Sequence, residues 1–225
     1  MSKKIIGIIQ CRMGSKRLPG KAVKNIAGVP LLKFLLKNLK GSRTLSKIIV
    51  ATSYKKENAI IVDICNDENI SSYIGSEKNV LSRFIKIIKK YNADIVVRLT
   101  GDNPLVDKHL VDDIVNKYLN NYFDYDYINN IERSGYPYGL FLEVFKSNAL
   151  LKASKNINSS NKEHVTWHIR NNPNLFNTSV IKTKKRFKYS RVTVDTQNDL
   201  DNVNKLILEI FKKNKSYHYK YLLEK

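Results

Sequence analysis

The chain opens on Ile5, Ile6, Ile8 and Ile9 around Gly7, a β-branched run that predicts a short strand buried on both faces of a sheet. Gly28 and Pro30 then introduce residues 31–40, LLKFLLKNLK, a helix whose Leu and Phe positions are too dense for a purely surface element. Residues 47–52, KIIVAT, read as a second buried strand, 53–69 as a helix with Ile60, Ile61 and Ile64 inward, and 72–75 as a short strand. From 78 to 91 the apolar residues Val80, Leu81, Phe84, Ile85, Ile88 and Tyr91 recur at three- and four-residue spacing, the pattern of an amphipathic helix. A strand at 94–99 comes next, and Asp107 is placed to cap a helix that turns Leu110, Val111, Ile114, Val115, Tyr118 and Leu119 inward. This alternation predicts an α/β fold, a mostly parallel sheet wound right-handed with helices on both faces.

The rhythm breaks at 122–139, a stretch rich in Tyr and Asn that reads as a strand and then a loop leaving the main sheet. Residues 139–145 and 191–195 are expected as strands and 162–171 as a helix. Thr196 and Asp199 make a capping box for a last helix with Leu200, Val203, Ile207 and Ile210 inward. The Lys- and Tyr-rich tail beyond Phe211 has no role assigned from the sequence.

After the first strand comes CRMGSKRLPGK, in which Arg12, Lys16, Arg17 and Lys21 place four cations within ten residues, while Gly14 and Gly20 bracket the turn. Glycines let backbone N–H groups approach phosphate oxygens closely, and Pro19 stiffens the turn. In open α/β sheets ligands sit beyond the carboxyl ends of strands, where this loop lies. It is not a Walker A loop, because five residues separate its glycines and Ala22 comes after Lys21. No GxGxxG succeeds the strand, which disfavours a dinucleotide fold. Lys21, after the stiffened turn, is expected to be open to solvent.

Composition narrows the field. The 225 residues fit a single α/β domain, 1–225. Two cysteines without a CxxC pair or a Cys/His cluster support neither a disulfide framework nor a zinc site, and Cys11 reads as a small buried hydrophobe. The first apolar run is too short for a signal peptide and no stretch reaches the length of a membrane span, so a soluble cytoplasmic protein without a membrane partner is expected. A formal charge of +20 raises the question of nucleic acid, but 31 Lys and 9 Arg are spread without a recognised binding motif, and Arg12, Arg17, Arg83, Arg98 and Arg191 fall at or near motif positions. No sequence-specific nucleic-acid partner is expected.

Asp102, in TGDNPL, and Asp195, in VDTQNDL, each stand after a predicted strand, so a parallel sheet brings both to the edge that carries the basic loop. Mg²⁺ takes one or two carboxylates together with phosphate oxygens, a combination suited to a nucleoside triphosphate. The competing readings are a turn for GDNP and helix capping for Asp195.

GSKRLPGK, GSEKNVLSRF, TGDNPL and VDTQNDL, in this order, resemble the signature stretches of the acidic-sugar cytidylyltransferases, the CMP-KDO and CMP-acylneuraminate synthetases, and above all their short branch of the spore coat polysaccharide biosynthesis protein F type. The resemblance covers about residues 4–211. It implies a three-layer α/β/α, Rossmann-like fold of the nucleotide-diphospho-sugar transferase type, paired into a homodimer through an excursion at about 122–181. It further implies transfer of CMP from CTP to an acidic 2-keto-3-deoxy sugar for a surface polysaccharide, with Mg²⁺ on Asp102 and Asp195. Carried over residue by residue, Arg12, Gly14, Ser15, Arg17, Lys21, Arg98, Thr100 and Asp102 hold the nucleotide, with Lys21, Arg12 and Arg17 acting in catalysis. GLFLEVF and EHVTWHI resemble segments that place Glu143, Glu163 and His164 near the sugar, although an ordinary helix histidine is an equal reading of His164. Tyr138 and Phe141 depart from a family segment that often carries an acidic residue, which points to an unusual acceptor. A transferase of this fold using another base, and a basic nucleic-acid-binding domain, are the alternatives.

Overall fold

A computed structural model describes residues 3–121, 123–131, 133–155 and 163–224. Strand β1 (Ile5–Gln10) runs up the middle of a seven-stranded sheet and is hydrogen-bonded in parallel to β4 (Lys47–Ser53) on one side and β6 (Ile95–Thr100) on the other. Strand β5 (Ser71–Gly75) extends the sheet beyond β4, again in parallel. A short antiparallel pair, β2 (Asn25–Ile26) and β3 (Val29–Pro30), stands apart and leads into α1 (Leu31–Leu39).

The period of two in the central strands sorts their side chains between two cores. Ile5 and Ile9 of β1, Val50 of β4 and Ile95, Val97 and Leu99 of β6 pack under α1, α2 (Ala59–Asp67), α4 (Lys108–Asn121) and α7 (Gln197–Lys213). Ile6, Ile8, Ile49, Ala51 and Val96 face the other way, against α3 (Val80–Tyr91), α5 (Ser147–Ser154) and α6 (Trp167–Arg170). These are three layers, as expected.

Four of the expected elements differ. Among the described residues of 122–139, the expected strand lies within the main sheet and the loop comes only after it. Strand β7 (Tyr127–Asn129) joins the sheet, and after it come β8 (Glu143–Lys146), antiparallel between β6 and β7, and β9 (Thr178–Val180), parallel to β7 at the rim. An antiparallel neighbour needs no crossover helix, so β8 inserts directly between β6 and β7. The expected strand at 139–145 begins only at Glu143, because Gly139 has φ +111° and a Cβ there would collide with the Thr193 nitrogen. Residues 191–195 form no strand of the sheet. They run extended beside Tyr138, which bridges to Arg191, and Val192 N–H donates to the Tyr138 carbonyl at 2.7 Å. The expected helix at 162–171 is confined to Trp167–Arg170 among the described residues, and Lys162 lies outside them.

The tail has a structural role. Tyr217, Tyr219 and Leu222 are buried against the α1 and α4 side of the core. The Tyr219 hydroxyl donates to Asp113 at 2.6 Å, and its N–H donates to Asp107, the residue whose other oxygen accepts from Leu110 N–H at the start of α4. Among the described residues, no helix is long and apolar enough to cross a membrane.

Candidate active site

Because β1, β4 and β6 are parallel, Gln10, Ser53 and Thr100 end at one edge of the sheet, and the loops that leave β1 and β6 face a shared cleft of about 480 Å³. Arg12, Gly14, Ser15, Arg17 and Lys21 line it from the loop after β1, and Thr100 and Asp102 line it from the turn after β6. Asp195 closes the opposite side. Close packing sets the two turns against each other: a Cβ on Gly101 would lie 2.8 Å from the Cys11 sulfur. Gly14 is different. A side chain there would meet nothing nearer than Glu57 at 3.6 Å, so the packing tolerates one, and what glycine leaves is open backbone facing the cleft.

Asp102 and Asp195 are brought together by backbone and not by neighbouring strands. Val194 N–H donates to the Asp102 carbonyl at 2.8 Å and the Thr193 hydroxyl donates to the same oxygen at 3.1 Å. Between the two carboxylates sits the Lys21 ammonium, 3.0 Å from Asp102 and 3.2 Å from Asp195, donating also to the Val194 carbonyl at 3.2 Å. Its side chain is only 15% exposed, so the expected free lysine is instead an internal counter-ion. Arg17 and Arg191 complete the ring, each 3.0 Å from a different oxygen of Asp195. Arg191 also holds Asp199, whose carboxyl burial would raise but which hydrogen bonds from Arg191, Thr196 and two backbone N–H groups bring down to about 2.

A second network fastens the loop from behind. Arg12 forks between Glu77 at 3.0 Å and Glu163 at 2.8 Å. Glu77 accepts from the Ser53 hydroxyl, and buried Asn58 donates to Ser53 while accepting from Met13 N–H at 2.8 Å. Arg83, fully buried, donates to the Ala51 carbonyl at 3.1 Å beneath this cluster. Sequence reasoning singled out none of Glu77, Ser53 and Asn58, although Glu77 lies in GSEKNVLSRF. Its usefulness depends on α3 coming so soon after β5 that residue 77 is set against the loop.

Arg98 does not line this cleft. On β6 it points to the same face as Val96 and stands in register with Glu143 of β8, to which it donates, reaching Gln10 with its other nitrogen at 3.1 Å. Glu143 accepts in addition from Tyr127 and Thr166, each at 2.6 Å. Burial works to raise the Glu143 carboxyl, but the Arg98 charge and these hydrogen bonds keep it below its ordinary value. Both residues border an adjoining cleft of about 240 Å³ that shares Thr100 and Asp102 with the first. Glu163 reaches the site through Arg12, whereas His164 is exposed and lines neither cleft. Burial, reinforced by the Asp102 carboxylate, pushes the Cys11 thiol up to about 12, which fits a packed residue and not a nucleophile.

Among the described residues no cluster of three or more His, Cys, Asp or Glu side chains forms a metal cage. Two hard carboxylates that already bracket a cation, beside a cleft lined with arginine and lysine, nevertheless fit Mg²⁺ arriving with a triphosphate, since that ion retains waters and phosphate oxygens.

A family model for cytidylyltransferases matches residues 6–224. The spore coat polysaccharide biosynthesis protein SpsF of Bacillus subtilis is 35% identical over 210 residues, covering 90% of this chain and 85% of that protein. The 3-deoxy-manno-octulosonate cytidylyltransferase of Bdellovibrio bacteriovorus is 35% identical over 114 residues, 48% of this chain and 43% of that one. The solved structure of a cytidylyltransferase from Leptospira borgpetersenii superposes with a TM-score of 0.83 at 27% identity, covering 96% of this chain and all (100%) of the other.

Proposed function

The chain belongs to the cytidylyltransferase family and is a CTP-dependent nucleotidyltransferase; on that premise we propose that it transfers CMP to a hydroxyl of an acidic, 2-keto-3-deoxy type sugar destined for a surface polysaccharide. The observation that carries this reading is the convergence of Arg12, Arg17 and Lys21 with Asp102 and Asp195 in one cleft beside a second, smaller one. The names of the Bacillus and Bdellovibrio relatives support the acidic-sugar acceptor and the polysaccharide role.

In the proposed reaction the sugar oxygen forms a bond to the α-phosphorus of CTP as the bond to the bridging oxygen of the β-phosphate breaks. Pyrophosphate leaves, and the hydroxyl proton passes to water. Such transfers are accelerated chiefly by positioning and by fixed cations where charge develops on the leaving group. Arg12, Arg17 and Lys21 supply those cations, and Ser15 and the open backbone at Gly14 are placed to bind phosphate oxygens. Asp102 and Asp195 would hold Mg²⁺, which when bound neutralises phosphate charge. To receive the triphosphate, Lys21 and Arg17 exchange carboxylate partners for phosphate, so the site is charged and pre-assembled before substrate enters. Arg98 acts one layer back, fixing Glu143 and Gln10. Homodimer formation through residues 122–181, in which β9 is the outer strand, belongs to the same reading and is tested by sedimentation.

Pyrophosphate release from each of the four NTPs with Mg²⁺, against a panel of 2-keto sugar acids, tests the function. Turnover with CTP and one or more of the acids is expected. Release with neutral sugars alone would overturn the acidic acceptor, and release with another NTP alone would overturn the base.

A further inference from the structure

The pole of the sheet opposite the active edge carries another cleft, of about 570 Å³, within the roughly 300–1,000 Å³ of pockets that enclose small ligands. It lies where β1 and β6 begin and where β8, being reversed, ends and turns directly into α5. Three lysines stand in its wall: Lys3 ahead of β1, Lys89 in the last turn of α3 and Lys146 at the end of β8. Lys146 is 3.8 Å from Asp126, but neither Lys3 nor Lys89 has an ion-pair partner among the described residues. Asp94 is the one acid lining the cleft among the described residues, and its Oδ2 already accepts from Lys4 N–H at 2.7 Å. Helix α5 starts here without a cap. Its N-cap residue is Lys146, no side chain accepts a hydrogen bond at that end, and no acid stands in the first turn. Ser147 N–H donates to the Asp94 carbonyl at 2.9 Å, while helix geometry offers the next two N–H groups, of Asn148 and Ala149, no intrahelical acceptor.

The Ser147 side chain is an independent mark of a ligand. Only 5% exposed, Ser147 lines the cleft, yet its hydroxyl has no hydrogen-bond partner among the described residues. A buried hydroxyl left unpaired is destabilising, and a bound group that completes it accounts for its being there. An anion meets every demand of this end of the cleft: it accepts from the hydroxyl and the free N–H groups, complements the helix dipole and neutralises the lysines. The rest of the wall is largely carbon, with Ile88, Ile95 and Leu151 beside the Phe123 ring, which is 41% exposed and has the Lys146 ammonium 5.7 Å from its centre. We propose that this cleft is a binding site, separate from the active cleft, for a small organic phosphate. Its phosphate sits on Ser147 and the start of α5 among Lys3, Lys89 and Lys146, and its carbon body lies on Phe123. The site does not depend on the reaction proposed above.

Methyl NMR of the isotope-labelled isoleucines tests it, because Ile88 and Ile95 report this cleft and Ile9, next to Gln10, reports the active edge. Phenyl phosphate is expected to shift Ile88 and Ile95 and to bind more tightly than inorganic phosphate. Benzyl alcohol, which has the ring without the charge, should leave them unmoved. Ser147→Ala should weaken phenyl phosphate about tenfold, the worth of one hydrogen bond to a charged group. Because it removes a hydroxyl that pairs with nothing, its ligand-free Tm should not fall. Lys89→Glu, at an exposed residue, should also weaken binding, most of all at low salt, whereas Lys86→Glu, the same change on α3 outside the cleft, should not. Phe123→Ala should bring phenyl phosphate down to the affinity of inorganic phosphate. Shifts confined to Ile9, equal shifts with benzyl alcohol, or an affinity unmoved by Ser147→Ala or by Lys89→Glu would each overturn the site. Equal affinity for inorganic and phenyl phosphate in the wild type would overturn an organic phosphate as its ligand.

Discussion

Lys21 donates to three oxygens at once, those of Asp102, Val194 and Asp195. Lys21→Ala should lower kcat with CTP by roughly a hundredfold or more, as loss of one preorganised donor often does, and steady-state pyrophosphate release measures it. The two carboxylates are not equivalent. Asp195 is the shared counter-ion of Lys21, Arg17 and Arg191, whereas Asp102 neutralises Lys21 alone. Asp102→Asn should therefore weaken Mg²⁺ binding to the CTP-loaded protein and leave the ligand-free Tm nearly unchanged. Asp195→Asn should do the first and also lower Tm, because three cations then face one another in a partly dry site. Titration of Mg²⁺ and thermal melting of both variants check this, and equal metal affinity in wild type and variants would remove the shared site. The loop cations and Asp102 could be read from the sequence because they sit in short stretches adjoining strand ends; Asp195 was read from VDTQNDL although the strand expected before it is not part of the sheet. That Lys21 bridges the aspartates could not be read, since it depends on Val194 and Thr193 docking on the Asp102 carbonyl.

At the scale of elements, periodicity located the helices closely where their apolar faces are clean, as in α3, and poorly where a turn interrupts them. The expected helix at 53–69 begins only after β4 has run on to Ser53 and a single 3-10 turn at Lys56–Asn58 has placed Asn58 under the loop. The capping box of α7 is present as read: Thr196 accepts from Asp199 N–H, and Asp199 accepts in return from Thr196 N–H. Thr196→Ala should cost about 0.5–2 kcal/mol of stability, measured by denaturant unfolding. Asp199 titrates near 2 in the folded protein against about 3.9 in an unfolded chain. Its folded value is depressed, so its contribution to stability is complete above the unfolded value and is lost as pH falls from about 4 toward 2. Asp199→Asn should flatten that part of the Tm against pH curve. A variant that melts with the same acid slope as wild type would show that Asp199 does not carry it.

Over the whole molecule, the three-layer alternation was legible because β1, β4 and β6 announce themselves by apolar runs, while the tail was not, because its anchors have no period. Tyr217, Tyr219 and Leu222 are nonetheless buried, so Leu222→Ala should destabilise by about 2–5 kcal/mol, read from the shift in denaturant midpoint, with the nucleotide cleft intact. The direction of β8 has a further consequence. β1, β4 and β6 end at the active edge, but β8, being reversed, begins there with Glu143. On the proposed reading, triphosphate chemistry thus falls to chain that is leaving the sheet, and sugar choice to chain that is entering it. The segment 133–142 is therefore a natural cassette: exchanged between relatives as a graft, it should re-address the enzyme to a different sugar while its nucleotide half is inherited unchanged.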